Sequence, residues 1–272
     1  MLSATTRRVV VQHSGGMGPV APLVLASGST YRAAILAEAH IPVIVDPPDI
    51  DERALDGRVA DLGPEGLAVH LAVAKAEAVA SRHPGSFVLA ADQVGVLGTD
   101  PADADADDDA DDDAAADDRP SEGRRWVLLT KRTDTDGAVA QLMSMAATTH
   151  RLVNGMVLRS PDGALHTGVD VQTVTMRGYS ESEARSYVDR FEPFDTAGSY
   201  RIEDGEVMEG EQGPGTALVA SVSGEHPSGV VGMPLPLLRR LLAAASWQGP
   251  GSTGPINTTE TRGPRHAASD GR

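Results

Sequence analysis

Ser27, Ser29 and Thr30 fall within four residues on a turn that also holds Gly28, and Arg32 follows directly. Hydroxyls, a guanidinium fork and the unpaired backbone N–H groups of a starting helix form the donor set that suits a phosphate. The same residues fit a plainer reading, in which Ser29 or Thr30 caps a helix and Arg32 is a solvated first-turn residue. Further along, Asp51 and Glu52 stand at the tip of a carboxylate-rich loop, Lys75 interrupts an apolar helical pattern, and Asp92-Gln93 close an apolar run. A lysine paired with a neighbouring acid is the ordinary arrangement on a helix surface. A carboxylate at the carboxyl end of a buried strand is better placed for chemistry, because ligands of open α/β folds collect there, although a strand-end turn residue would look the same.

The elements that must position these groups follow from periodicity. Residues 23–26 read as a strand, residues 31–39 as a helix and residues 41–45 as a second strand ending in the Pro47-Pro48 loop. Residues 66–81 carry apolar side chains at Leu67, Leu71, Ala74, Ala78 and Val79, a helical spacing, and residues 87–91 form a buried strand that ends at Asp92-Gln93. After an interruption the fold resumes near residues 124–129, reaches Lys131-Arg132, and enters a helix marked by Val139, Leu142, Met143 and Met145. Residues 156–158 and 167–174 read as antiparallel strands joined at Ser160-Pro161-Asp162-Gly163, and residues 180–191 as a helix opened by a capping box from Ser180 to Glu183. Small residues flanked by charges at 194–203 have the composition of a loop that lets backbone approach a ligand. A strand at 217–222 and a last helix through Leu242 complete the pattern.

The chain has 272 residues and no cysteine, which excludes disulfides, thiolate metal sites and a catalytic thiol. Residues 100–118 contain 11 aspartates and no base; they account for most of the formal charge of −16, leaving −5 for the rest. This tract reads as a solvated flexible insertion; a Ca²⁺ site lacks the required glycine and spacing, and nothing else argues for a mimic of nucleic acid. No basic footprint for nucleic acid and no membrane span is present, and a cytoplasmic enzyme is the expectation. The domain reading is a disordered leader over 1–20, one domain over 21–245 with an acidic insertion at 99–122, and a disordered tail over 246–272, beginning near Trp247.

Five stretches in order carry a resemblance: Leu25-Ala26-Ser27-Gly28-Ser29-Thr30-Tyr31-Arg32, Asp51-Glu52, Leu71-Ala72-Val73-Ala74-Lys75-Ala76, Ala91-Asp92-Gln93, and Ala197-Gly198-Ser199-Tyr200-Arg201-Ile202-Glu203. With Val231-Gly232-Met233-Pro234-Leu235, they resemble the Maf family of nucleoside triphosphate pyrophosphatases. The resemblance implies an α/β, two-lobed, ITPase-like fold with a central mixed sheet, helices around it and a deep cleft. It also implies a divalent metal, expected to be Mg²⁺, and cleavage of a nucleoside triphosphate between its α- and β-phosphates. By position Asp92 would be the catalytic carboxylate, as base or as metal ligand. Ser27, Ser29 and Arg32 would hold phosphates, Asp51, Glu52 and Asp92 would supply metal contacts, and Lys75 and Lys131 would face the triphosphate. The expected partner is the nucleotide, with neither nucleic acid nor membrane, and a homodimer is left open.

Departures from the common family pattern concern the base. Tyr31 replaces an arginine, Gln93 follows Asp92 where threonine is usual, and Glu203 stands where glutamine is usual; all three match the branch similar to 7-methyl-GTP pyrophosphatase. A 7-methylated guanine is cationic, so the Tyr31 face would attract it and the Glu203 carboxylate would accept its N1 and N2 hydrogens. Against that stand the alternatives of packing for Tyr31 and solvation for Glu203, with a broad-specificity site on dTTP, UTP or other canonical nucleotides. A nucleotide-binding regulator of cell division is the reading from another class. Lys131-Arg132 and Asp195-Thr196 replace two usual pairs, so one expected cation is missing, and His150 lacks a second histidine at ligand spacing and reads as structural.

Overall fold

The computed structural model describes residues 21–51, 57–98, 126–202, 204 and 218–249. The leader, the acidic insertion, Glu52 and Glu203 lie outside the described residues. Strand β1 (Leu23–Leu25), helix α1 (Thr30–Glu38) and the short β2 (Ile44–Val45) come first, followed by α2 (Val59–Ala80) and β3 (Phe87–Gly98). Then come β4 (Trp126–Leu129), α3 (Thr135–Met145), β5 (Thr149–Arg159), β6 (Leu165–Met176), α4 (Glu181–Phe191), β7 (Val219–Ser223) and α5 (Leu235–Ala244). Local chemistry explains several boundaries. Ser180 caps α4, its side chain accepting from the Glu183 backbone while Glu183 reaches back to the cap; α2 kinks at Gly63 and restarts with Pro64 in its first turn.

One mixed seven-stranded sheet organises the molecule, in the order β2-β1-β3-β5-β6-β7, with β4 also on β3. β1 runs parallel to β2 and β3, and the remaining pairs are antiparallel. The hairpin expected at residues 160–163 joins β5 to β6 in full register, from Arg159 opposite Leu165 to Thr149 opposite Thr175. β3 is longer than the sequence suggests. Asp92-Gln93 do not end it but stand at its middle, opposite Gly155 and Asn154 of β5. Polar residues inside a strand read as a stop only when nothing pairs with them, and here both are paired by distant groups.

The other edge of β3 is shared. β1 pairs with it as far as Leu25 opposite Leu89, and β4 takes up the edge at Leu129 opposite Gly95. Among the described residues, 90–94 therefore have no strand partner on that side, and the sheet opens there.

α2 covers one sheet face, packing Leu67, Ala68, Leu71, Ala72, Ala76 and Val79 against β3 and β5. The opposite face is covered in two halves, α1 and α5 over β1, β3 and β5, and α3 and α4 over β5 and β6. Trp247, expected in the tail, is instead 6% exposed in the α5 cluster and donates to the Ala21 carbonyl at 3.3 Å. A single aromatic anchor outweighs the Gly/Pro composition around it. Among the described residues no helix is long and apolar enough to cross a membrane.

α2 lies so close to β5 that a Cβ on Gly155 would meet the Ala68 carbonyl carbon at 2.2 Å and the Val69 nitrogen at 2.3 Å. Backbone cannot rotate away as a side chain can. Gly155→Ala is therefore expected to lower the unfolding free energy by about 3 kcal/mol, read by urea denaturation.

Candidate active site

A cleft of about 1250 Å³ opens at the unpaired stretch of β3, lined by Ser27 to Arg32, Asp51, Lys75, Asp92, Gln93, Lys131 and Tyr200 among others. Asp92 points to the α2 face, between Ala90 and Val94, and the Lys75 ammonium donates to its Oδ1. Each residue is 5% exposed. The bland expectation, a solvated helix lysine paired to a neighbouring acid, does not hold: Lys75 is buried and its acid, Asp92, lies 17 residues away at the cleft. The chain contains two lysines, Lys75 and Lys131, and both line this cleft.

Lining the same cleft, α1 begins just past the end of β1. Ser29 is its N-cap, the side chain accepting from the Arg32 N–H at 3.4 Å. Ser27, 4% exposed, accepts from the Ser29 N–H at 3.2 Å and from Arg32 Nη1 at 3.3 Å. Both hydroxyls act as acceptors here, which leaves their own hydrogens to donate. Arg32 Nε donates to the Gly232 carbonyl at 3.0 Å, so the Val231-Gly232-Met233-Pro234 segment fixes the guanidinium at the corner. The capping expectation for Ser29 is met, and the turn it holds lines the cleft.

Asp51 lines the same cleft and is exposed. Its loop is anchored at the far end, where Asp46 accepts from Arg82 Nε and Nη2, each at 2.9 Å, and contacts His83 Nε2 at 2.7 Å. Tyr31 is 51% exposed at the cleft wall. Lys131 is exposed on the opposite wall.

That wall is organised by Gln141, which sequence reading passed over. It is 5% exposed and all its hydrogen-bonding positions are used. Nε2 donates to the Thr130 carbonyl and to Ser199 Oγ, each at 2.9 Å; Oε1 accepts from Thr130 N at 3.2 Å and Arg132 Nε at 3.0 Å. Lys131 is thus held between two pinned neighbours, and the same side chain grips the 194–203 loop. In that loop Arg201 pairs with Asp195 and lies 3.8 Å from Asp204, while the Tyr187 hydroxyl donates to Asp204 at 2.5 Å and accepts from the Arg201 N–H at 2.9 Å. No local pattern could show Gln141, because Ser199 is 58 residues away in sequence.

The sequence profile of the Maf-like protein family matches residues 22–245. The chain belongs to the Maf-like family. Among its relatives, the 7-methyl-GTP pyrophosphatase of Nitrosococcus oceani is 32% identical over 226 residues, covering 83% of this chain and 94% of that protein. The 7-methyl-GTP pyrophosphatase of Xanthomonas axonopodis pv. citri is 32% identical over 228 residues, 84% of this chain and 98% of its own. The dTTP/UTP pyrophosphatase of Myxococcus xanthus is 36% identical over 214 residues, 78% of this chain and 87% of its own. In this Maf-like protein the ordered motifs of the family therefore meet around one cleft, apart from Glu52 and Glu203, which the structure does not describe.

His150 backs the site from β5. It is 1% exposed, its Nε2 contacts the Tyr200 hydroxyl at 2.7 Å, and its buried Nδ1 has no partner among the described residues. Burial pushes its pKa down from 6.5 to about 4, so the folded protein keeps it neutral. The unfolded chain takes up this proton below about 6.5 and the folded one only below about 4. Stability from this group is therefore present above 6.5 and lost as pH falls toward 4, by up to about 3 kcal/mol. Urea titrations between pH 7 and 4 should show that loss, and His150→Gln should flatten the slope in this window.

Proposed function

We propose that this Maf-like protein hydrolyses nucleoside triphosphates between the α- and β-phosphates, releasing a monophosphate and pyrophosphate, and that it prefers a 7-methylated guanine base. The observation that carries the reading is the Lys75–Asp92 pair: an ammonium and a carboxylate out of water beside the gap in the β3 edge, lining one cleft with Ser27 and Arg32. Apolar side chains of similar volume would support a fold at least as well, so the pair is better explained by chemistry. The names of the relatives support the same reaction class.

In the proposed reaction a water oxygen bonds to the α-phosphorus while the bond from that phosphorus to the bridging oxygen breaks, and the electron pair leaves on pyrophosphate. Asp92 orients the water and takes its proton. Lys75 has three donors, enough to hold Asp92 in place and reach a phosphate oxygen. Ser27, Ser29, Arg32 and Lys131 bind the remaining phosphate oxygens from the two walls. Asp51, Glu52 and Asp92 would hold Mg²⁺. Their hard oxygens fit, since this ion commonly takes one or two carboxylates together with substrate phosphates, and Asp51 and Asp92 line one cleft. Among the described residues there is no closed cluster of three acids or histidines. When bound, the ion neutralises charge on the leaving pyrophosphate.

For the base, the exposed Tyr31 ring offers a face to a cationic purine, and Glu203 is assigned to its N1 and N2 hydrogens. A second reading, dTTP and UTP as substrates, is favoured by the Myxococcus xanthus relative. Pyrophosphate release measured with Mg²⁺ over 7-methyl-GTP, GTP, dTTP and UTP separates the two. The expected order places 7-methyl-GTP first; Asp92→Asn should lower kcat about 1000-fold with nucleotide binding retained. Glu203→Gln should narrow the 7-methyl-GTP preference over GTP about tenfold. Faster turnover of dTTP and UTP would establish the second reading, and no pyrophosphate from any nucleotide would remove both.

A further inference from the structure

On the sheet face away from α2, a polar belt runs between the two apolar halves. Gln93 of β3 lies opposite Asn154 of β5, and Asn154 lies opposite Asp170 of β6. Asn154 is 0%, Gln172 1% and Asp170 6% exposed. Nothing in the proposed reaction uses the Asp170 carboxylate, yet it is a charge kept out of water, and such a group needs a reason.

Its hydrogen bonds supply one. Asp170 Oδ2 accepts from Asn154 Nδ2 at 3.0 Å and from Gln172 Nε2 at 2.9 Å. Asn154 spends its other hydrogen on the Gly229 carbonyl at 2.8 Å, so its Oδ1 must face Gln93. There Gln93 Nε2 lies 3.0 Å from it and, equally, 3.0 Å from the Gly229 and Val230 carbonyls, so its two hydrogens are shared among three acceptors. Backbone carbonyls only accept, so the Gln93 amide cannot be turned over without setting its oxygen against them. Gln93 lines the cleft, and among the described residues its Oε1 has no protein donor. The belt also seats the turn itself. A Cβ on Gly229 would meet Gln172 Nε2 at 2.3 Å and Asp170 Oδ2 at 2.5 Å, so the turn lies directly on these side chains. A few residues on, the Gly232 carbonyl holds Arg32.

We infer that Asp170 is a positioning residue which, through Asn154, locks Gln93 with its carbonyl oxygen toward the cleft, so that the site meets its substrate there as a hydrogen-bond acceptor. The inference rests on the nucleotide reading above and deepens it. The matching group on the substrate is a donor, either an N–H of the base or the ribose 2′-hydroxyl. Gln93 touches the substrate, whereas Asn154 and Asp170 act through it.

The test compares kcat/KM for GTP, ATP and dGTP in the wild-type chain, Asp170→Ala and Asp170→Asn, with folding checked by circular dichroism. An asparagine oxygen can accept the same two amide donors, so Asp170→Asn should keep the wild-type ratios. Asp170→Ala leaves Asn154 and Gln93 able to turn and should lower kcat/KM for the best substrate about tenfold. A fall in the GTP/ATP ratio places the donor on the base, and a fall in the GTP/dGTP ratio places it on the ribose 2′-hydroxyl. Folded Asp170→Ala with both ratios unchanged overturns the inference, and so does Asp170→Asn shifting them as far as alanine. If Asp170→Ala does not fold, Asn154→Ser interrupts the same chain of amides and is read by the same ratios. A wild-type chain that turns over none of these three, nor 7-methyl-GTP, dTTP or UTP, would instead remove the nucleotide reading, and this inference with it; where only the latter turn over, an unchanged kcat/KM for them in folded Asp170→Ala overturns the inference.

Discussion

An ammonium and a carboxylate held out of water in the middle of a sheet set the terms for everything around them. Taking two such charges from water costs several kcal/mol each, and their attraction offsets this only with good geometry and further hydrogen bonds. Lys75 and Asp92 meet the first condition because α2 packs directly on β3, an approach that the small residues Ala68, Ala72 and Ala76 permit. The gap in the β3 edge between β1 and β4 supplies access. Without that gap the pair would be sealed; without the helix it would be solvated. The cleft exists because both are avoided at once.

β3 carries polar residues toward both faces at the same point of its length. On the α2 face the Lys75–Asp92 pair interrupts apolar packing, and on the other the Gln93–Asn154–Asp170 belt does. The turn at 227–232 joins these to the Ser27–Arg32 corner, since its carbonyls hold Gln93 and Asn154 while Gly232 holds Arg32. Gln141 plays the corresponding part across the cleft, tying Thr130 and Arg132 to Ser199. Each hub is a buried amide with its partners on separate elements, which gives a site more rigidity than loops alone would allow.

Local signals carried far in the sequence. The turn at 27–32, the capping box of α4 and the β5–β6 hairpin each depend on neighbours a few residues apart, and each stands where periodicity and turn chemistry put it. Asp92-Gln93 misled as a strand end because their partners, Lys75, Asn154 and the Gly229 carbonyl, are 17, 61 and 136 residues distant. Gln141, Asn154 and Asp170 were silent for the same reason: an isolated polar residue in an apolar pattern does not announce which backbone it will meet. Trp247 shows the converse, a strong anchor hidden by a weak composition. One global signal was present throughout: in a chain that otherwise uses arginine, both lysines line the cleft.

The central claim is that the Lys75–Asp92 pair serves turnover rather than stability. The most direct measurement is the unfolding free energy and the pyrophosphate release of the double variant Lys75→Met/Asp92→Leu, set beside wild type. The account predicts a folded protein with stability within about 1 kcal/mol of wild type, or higher, and no detectable release. A double variant that loses several kcal/mol, or that still hydrolyses nucleotides, would contradict it.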